Sequence, residues 1–225
     1  MIVAGLPAVA AAVAFVFAAQ MGRQYARRRR PHALAWFLSL VLFGLASACV
    51  ALGVSAGWTR PVFATYWIAG ALLNVPLLAV GQLQLLDPKR SGLYWALGAL
   101  FTVAALAATA MADFDTAALR GASAERSIPL GRHVLAGTLA YALARPFSFT
   151  FAIVVAGSVW SAFKTRRWAI LLIAVGVTVV AASSSAVRVG QGEVFSVLLT
   201  VGIAIMYAGF LAASKPPRPA REPVP

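Results

Sequence analysis

Residues 66–86 read YWIAGALLNVPLLAVGQLQLL, an apolar run long enough to cross a bilayer as one helix, which takes about 20 residues. The run also holds the amide side chains Asn74, Gln82 and Gln84 and the proline Pro76 in its interior. The other apolar runs of the chain consist mostly of Ala, Val, Leu, Ile, Gly and Phe. Residues 66–86 therefore predict a membrane-spanning helix, and they are where we first expect a functional centre.

The composition of the whole chain is typical of a membrane protein. Of its 225 residues, 61% are hydrophobic and 11% are charged, and the mean hydropathy is +0.85. Soluble globular domains have about 25% charged residues, so lipid must solvate much of this surface. The net charge of +13 lies between the apolar runs and at the chain end. This placement favours contacts with anionic lipid headgroups at basic inner loops over the binding of nucleic acid.

Seven apolar runs predict an all-α bundle of seven transmembrane helices, which forms a single domain over residues 1–213. The expected spans are residues 2–19, 33–55, 62–86, 92–112, 136–163, 168–187 and 193–213. We expect the fifth span to be one long helix that bends at Pro146, with its first part at or above the membrane surface. Residues 214–225 are rich in proline and charge, which predicts a disordered or polyproline-like cytoplasmic tail.

The positions of the basic residues predict the orientation of the chain. With the N-terminus outside, the inner segments hold 13 of the 19 lysines and arginines, including the run from Arg27 to Arg30. Because basic residues gather in short cytoplasmic loops, we expect an outside N-terminus, a cytoplasmic C-terminus and a place in the plasma (inner) membrane. Aromatic residues near the run ends, among them Trp58, Tyr66 and Trp67, are typical of an interfacial belt.

Asn74 and Pro76 are the leading candidates for a polar site. Asn74 lies close to mid-span, where an amide must face other helices or a polar cavity. Pro76 removes a backbone donor and bends the helix, which frees a carbonyl near Leu72. The pair is either a substrate or ion contact at a broken helix or an interhelical hydrogen bond that fixes packing. We favour the packing contact at this point and keep the binding site as the alternative.

Three other groups of polar residues give further candidates. Gln82 and Gln84 are two residues apart, so they point to different sides of the helix, and we expect them to reach interfacial water or a neighbouring helix. Arg145 near the interface can hold a carboxylate or a lipid phosphate, with snorkelling to the headgroups as the alternative. The serines Ser183–Ser185 are expected to bond back to helix carbonyls, with a hydroxyl-lined outer vestibule as the alternative.

The motifs of common enzymes are missing from the sequence. It has no phosphate-binding glycine-rich loop, HExxH motif, nucleophile elbow or catalytic carboxylate pair, so we expect no catalytic activity. Cys49 is the single cysteine, and the two histidines, His32 and His133, are expected on opposite sides of the membrane. We therefore expect neither a metal site nor a bound cofactor.

Three stretches resemble a group of uncharacterised multi-pass membrane proteins common in high-GC actinobacteria. They are YWIAGALLNVPLLAVGQLQLL, SIPLGRHVLAG at 127–137 and EVFSVLLTVGIAIMYAGFLAAS at 193–214. The resemblance implies no assigned activity. More loosely, the layout is similar to the seven-span N-terminal sensor region of some membrane histidine kinases. We expect no kinase, cyclase or DNA-binding module in residues 214–225, so a signalling role is expected to need a partner.

Two functional hypotheses follow from these observations. The first is a non-enzymatic sensor or partner subunit that works with another membrane protein. The second is a small-solute or lipid carrier with its site near Asn74 and Pro76. A hydrated cavity that reaches Asn74 favours the carrier, whereas a closed bundle with that amide bonded to a neighbouring helix favours the sensor.

Overall fold

Helices make up most of the chain. The computed structural model describes residues 2–145 and 147–214, and no β-strand occurs within them. We number the helices α1 to α10 in chain order: Ile2–Arg28, Pro31–Ala56, Arg60–Leu86, Ser91–Ala110, Thr116–Ala124, Gly131–Val134, Leu139–Ala142, Phe147–Thr165, Leu171–Arg188 and Gly192–Ser214. Short 3₁₀ turns at Pro88–Arg90 and Trp168–Ile170 lead into α4 and α9.

Six of the helices in the described ranges are long and apolar enough to cross a membrane, namely α1, α2, α3, α4, α9 and α10. The apolar stretch Phe149–Thr165 of α8 falls below that length. On α4, Leu93, Leu97, Leu100 and Val103 recur at helical spacing and are 53–68% exposed. Lipid, unlike water, solvates such a continuous apolar face without penalty. The expectation of an all-α, multi-pass membrane protein is confirmed at this level.

The first and last described helices run parallel, side by side. Pro7 has no backbone N–H, so the Val3 carbonyl one turn earlier lacks its helical donor. The Ser196 hydroxyl of α10 lies 3.3 Å from this oxygen and donates to it. Thr200 donates to the Leu6 carbonyl at 2.9 Å, and Gln20 donates to the Tyr207 hydroxyl further along both helices. The start of α1 therefore lies beside the start of α10.

Helices α9 and α10 approach each other closely at two glycines. A methyl group added at Gly176 would lie 2.6 Å from the Gly202 carbonyl oxygen, and one added at Gly202 would lie 2.9 Å from the Gly176 carbonyl oxygen. Only hydrogen in place of a side chain allows this backbone-to-backbone contact. Small residues have this role at many transmembrane helix crossings, where close backbones gain dispersion energy.

The expectation of one long helix over residues 136–163 is wrong. Within this range the chain instead forms the four-residue helix α7, and α8 begins at Phe147. Gly137 has a φ of +75°, and the Thr138 hydroxyl accepts from the Tyr141 N–H at 3.3 Å, so a new helix starts there. The bend expected at Pro146 and the tail expected beyond Ser214 lie outside the described residues.

The bundle has two chemically different ends. We call the end with residues 111–145 the connection face and the opposite end, with residues 27–30, 87–90 and 164–167, the basic face. Arg60 donates to the Ala112 carbonyl at the connection face, and Arg167 donates to the Ala213 carbonyl at the basic face. Helix α2 packs on α1 and α3, the second half of α3 packs on α8, and α8 and α10 pack on α9.

Candidate binding cavity

A cavity of about 770 Å³ opens in the half of the bundle nearer the connection face. Helices α2, α3, α8, α9 and α10 contribute to its walls, and the rim consists of residues 129–132 with Tyr141, Ala144 and Arg145. Small-molecule pockets usually enclose about 300–1,000 Å³. The cavity is therefore large enough for a small solute or for much of a single-chain lipid.

Helix α3 changes its winding where it lines this cavity. Residues Trp67–Leu73 form a π-helix, and the Asn74 N–H bonds to the Ala69 carbonyl five residues earlier. Ordinary α-helix resumes at Asn74, two residues before Pro76, which lacks a backbone donor. Wide turns of this kind are rare and often occur at functional sites. The winding places Tyr66, Trp67 and Asn74 on the cavity wall.

Asn74 contacts a neighbouring helix and also lines the cavity. The Ser39 hydroxyl of α2 lies 2.7 Å from Asn74 Oδ1 and 2.8 Å from the Asn74 carbonyl oxygen, so the amide takes part in an interhelical contact. Asn74 also lines the cavity and is half-buried rather than enclosed. Its amide nitrogen donates no hydrogen bond within the described residues, which leaves it available to a ligand or to water.

Two tryptophans, one just before α3 and one within it, bond to the connection face. The Trp58 indole donates to the Ser127 carbonyl at 2.9 Å, and the Trp67 indole donates to the Ala140 carbonyl at 3.2 Å. Trp67 also stacks between Phe63 and Tyr141 at centroid distances of 6.0 and 6.1 Å. Both tryptophans are at most 8% exposed. The expectation that they belong to a lipid-facing aromatic belt is therefore wrong, because they anchor the cavity rim.

Three arginines from separate segments line the cavity: Arg132 of α6, Arg145 before α8 and Arg188 at the end of α9. Arg132 Nε lies 3.3 Å from His133 Nε2. Within the described residues, the side chains of Arg145 and Arg188 make no hydrogen bond, none of the three makes an ion pair, and no carboxylate lines the cavity. The rim therefore presents three positive charges without a balancing negative charge.

Hydroxyl groups lie between this rim and the apolar walls. Ser183, Ser184 and Ser185 all line the cavity. Ser183 donates to the Val180 carbonyl at 2.6 Å, as expected for a serine that bonds back to its own helix. Ser184 and Ser185 are exposed and have no hydrogen bond within the described part of the chain. The expected bond back to the helix is therefore made by Ser183, and all three serines lie in the cavity lining.

Between Asn74 and the basic face, the bundle is nearly closed. A void of about 20 Å³ lies between Trp36, Leu78 and Gln82, together with apolar side chains of neighbouring helices. Gln82 and Gln84 are 2% and 3% exposed, so of the two expected surroundings they do not reach interfacial water. Gln82 instead lies against Gly157 of the neighbouring helix α8, the other expectation. Gln82 Nε2, both side-chain polar atoms of Gln84 and Trp36 Nε1 are buried without a partner in the described residues. The void is close to the size of one water molecule.

The structure brings together two of the three predicted site residues. Asn74 and Arg145 line the same cavity, whereas Pro76 does not. The sequence did not single out Arg132, Ser47 or Tyr141 as lining residues, because nothing local marks residues that meet only through long-range packing. Arg188 comes at the end of the apolar run that contains Ser183–Ser185. This position in the sequence was the one signal that Arg188 lies at the cavity rim.

Comparison of the chain with protein-family models, with curated proteins and with solved structures found no match.

Proposed function

We propose that this protein is a non-enzymatic, ligand-binding protein of the plasma membrane that takes a small solute or lipid into its cavity from the outside. The observation on which this rests is the cavity of about 770 Å³ that reaches Asn74 at mid-span. A polar amide at that depth is expensive unless it has a partner or a function. The Ser39 hydroxyl satisfies only one side of this amide.

The proposal includes seven spans with the N-terminus outside and the C-terminus in the cytoplasm. Helices α1 and α10 run parallel, so an even number of crossings must separate the start of α1 from the start of α10. Helices α1, α2, α3, α4 and α9 supply five crossings, and α8 is needed as the sixth. Phe151 of α8 lines the cavity, Gly157 abuts Gln82, and Arg167 bonds at the basic face, as a crossing helix would.

Access of water to Asn74 tests this function directly. In a Cys49→Ala background, Asn74→Cys, Arg188→Cys and Gln82→Cys are treated with a charged, membrane-impermeant thiol reagent added outside. We expect the rim cysteine and the Asn74→Cys variant to react and Gln82→Cys to stay unmodified. An unreactive Asn74→Cys alongside a reactive Arg188→Cys contradicts an outward-open cavity.

Filling the cavity tests whether it binds a molecule. Ala181 lines the cavity, whereas the next residue, Ala182, is exposed and does not. We expect native mass spectrometry of protein purified in mild detergent to show a bound small molecule with wild type and Ala182→Trp, but not with Ala181→Trp. An equal occupancy of all three proteins contradicts binding at this cavity.

A sensor subunit is the second candidate function, because the half of the bundle below Asn74 is closed. A carrier must open this half to the cytoplasm at some stage, whereas a sensor need not. In inverted vesicles, Gln82→Cys should react with the impermeant reagent if the protein is a carrier. A cysteine that stays unmodified with ligand present favours the sensor.

A further inference from the structure

We propose that the ligand of this cavity is an anionic amphiphile, a molecule with one phosphate or carboxylate head and one apolar body. This inference rests on the proposed binding function and adds the chemical class of the ligand. The head lies among Arg132, Arg145 and Arg188 at the rim, and the apolar body extends toward Asn74 along the aromatic and aliphatic walls.

The charge of the rim gives the sign of the head group. The three arginines come from different segments, yet all line one cavity that contains no carboxylate. Among the acids of this end, Asp115 caps α5 and Glu125 accepts from the Ser127 hydroxyl. Asp113 and Glu193 do not line the cavity and make no ion pair within the described residues. A guanidinium has a planar fork of donors that matches a carboxylate or phosphate. An anion is the group that balances this rim.

Arg60 shows how an arginine at this end of the bundle can be satisfied within the protein. Arg60, also at the connection face, lies 4.9 Å from the Phe114 ring centroid and donates to the Ala112 carbonyl. Arg145 and Arg188 have no such contact with the described residues. Their donors are therefore free for a head group, and the Ser184 and Ser185 hydroxyls beside Arg188 can add hydrogen bonds to its oxygens.

The walls below the rim give the nature of the rest of the ligand. Phe43, Val50, Phe151, Phe195 and Leu199 line the cavity between the arginines and the half-buried Asn74. A small inorganic anion would leave these apolar walls in contact with water, whereas an alkyl or polyprenyl chain would bury them, which is favourable. The cationic rim and the apolar walls together suit an amphiphile better than a fully polar solute.

Binding of simple amphiphiles to the full chain in phosphatidylcholine nanodiscs tests this proposal. The probes are dodecyl phosphate, dodecanoate, dodecanol, dodecyltrimethylammonium and inorganic phosphate. We expect saturable one-to-one binding of dodecyl phosphate and dodecanoate to wild type, and much weaker binding of the other three. The loss of two charge-assisted contacts in Arg145→Gln/Arg188→Gln should weaken dodecyl phosphate binding roughly tenfold or more.

The matched control is Arg120→Gln/Arg126→Gln, which removes the same charge from the same face at exposed residues that do not line the cavity. We expect it to bind like wild type. An equal loss of binding in both double variants overturns the proposal, because the charge of the whole face would then explain the binding. No loss in either variant also overturns it, because the rim arginines would then not contribute. The head-group comparison uses wild type, so it decides even if a variant does not fold.

The remaining outcomes separate this inference from the proposed function. If dodecanol or dodecyltrimethylammonium binds as tightly as dodecyl phosphate and Ala181→Trp abolishes that binding, the anionic class is wrong but the cavity still binds amphiphiles. If inorganic phosphate alone binds as tightly as dodecyl phosphate, the site recognises a free anion and the amphiphile is wrong. Loss of all binding together with an unreactive Asn74→Cys contradicts the proposed function itself.

Discussion

Asn74 has one polar group that is bonded within the bundle and one that is free at the cavity wall. Its Oδ1 and its backbone carbonyl lie within 2.8 Å of the Ser39 hydroxyl, and its amide nitrogen is available at the cavity wall. A packing role depends on the Ser39 hydroxyl, whereas a binding role depends on the amide itself. The two roles therefore respond differently to substitution of the two residues.

Ser39→Ala should lower the free energy of unfolding by about 1 kcal/mol, because one interhelical hydrogen bond is lost. Ligand affinity should change little, since the amide stays at the cavity. Asn74→Leu should instead abolish ligand binding or transport with expression close to wild type. Thermal unfolding in detergent and ligand titration on both variants measure the two effects. Normal ligand binding by the Asn74→Leu protein would show that Asn74 has only a packing role.

Gln82 is a buried amide whose nitrogen has no partner among the described residues. An unsatisfied buried polar group costs about 1–3 kcal/mol, and methionine has a similar shape without that cost. Gln82→Met should therefore raise the thermal unfolding midpoint. The matched control is Gln20→Met, which removes a donor to Tyr207 and should lower the midpoint. A lower midpoint for Gln82→Met would show that the amide has a partner, such as a water in the adjoining void of about 20 Å³.

At the scale of elements, the crossing of α9 and α10 depends on two glycines. A methyl group at Gly202 would lie 2.9 Å from both the Gly176 carbonyl oxygen and the Val180 nitrogen. We expect Gly202→Ala to destabilise the protein by about 1–3 kcal/mol, because the backbones must move apart. Gly5→Ala on α1 is the control, since nothing lies within 4 Å of a methyl group there. Equal unfolding midpoints for the two variants would contradict the close crossing.

The elements also show which parts of the fold can be predicted from sequence. The long helices were predictable because each is an apolar run of sufficient length, and lipid imposes that pattern on the residues themselves. Residues 128–145 were not predictable, because their path depends on Trp58 and Trp67, which are far away in the sequence. The cavity also depends on contacts between residues that are far apart in the sequence. The sequence therefore identified Asn74 and Arg145 as polar candidates, but it could not show that they line the same cavity.

At the scale of the whole molecule, α8 decides how the chain is threaded through the membrane. Its apolar stretch Phe149–Thr165 is not among the six helices long enough to cross a membrane, so length alone does not establish it as a span. If α8 did not cross, α9 and α10 would both be reversed, and α10 would run antiparallel to α1. The bonds from Ser196 to Val3 and from Thr200 to Leu6 require the parallel arrangement. The proposed seven spans thus rest on the packing of α1 against α10.

One exposed residue before α8 and one at its end test how the chain crosses the membrane. In the Cys49→Ala background, Glu125→Cys lies before α8 on the connection face, and Thr165→Cys lies at its end on the basic face. With seven spans and an outside N-terminus, an impermeant thiol reagent should label Glu125→Cys in intact cells and Thr165→Cys only after permeabilisation. Labelling of both residues in intact cells would place α8 on one side of the membrane. The opposite pattern, with only Thr165→Cys labelled, would keep seven spans but turn the cavity toward the cytoplasm.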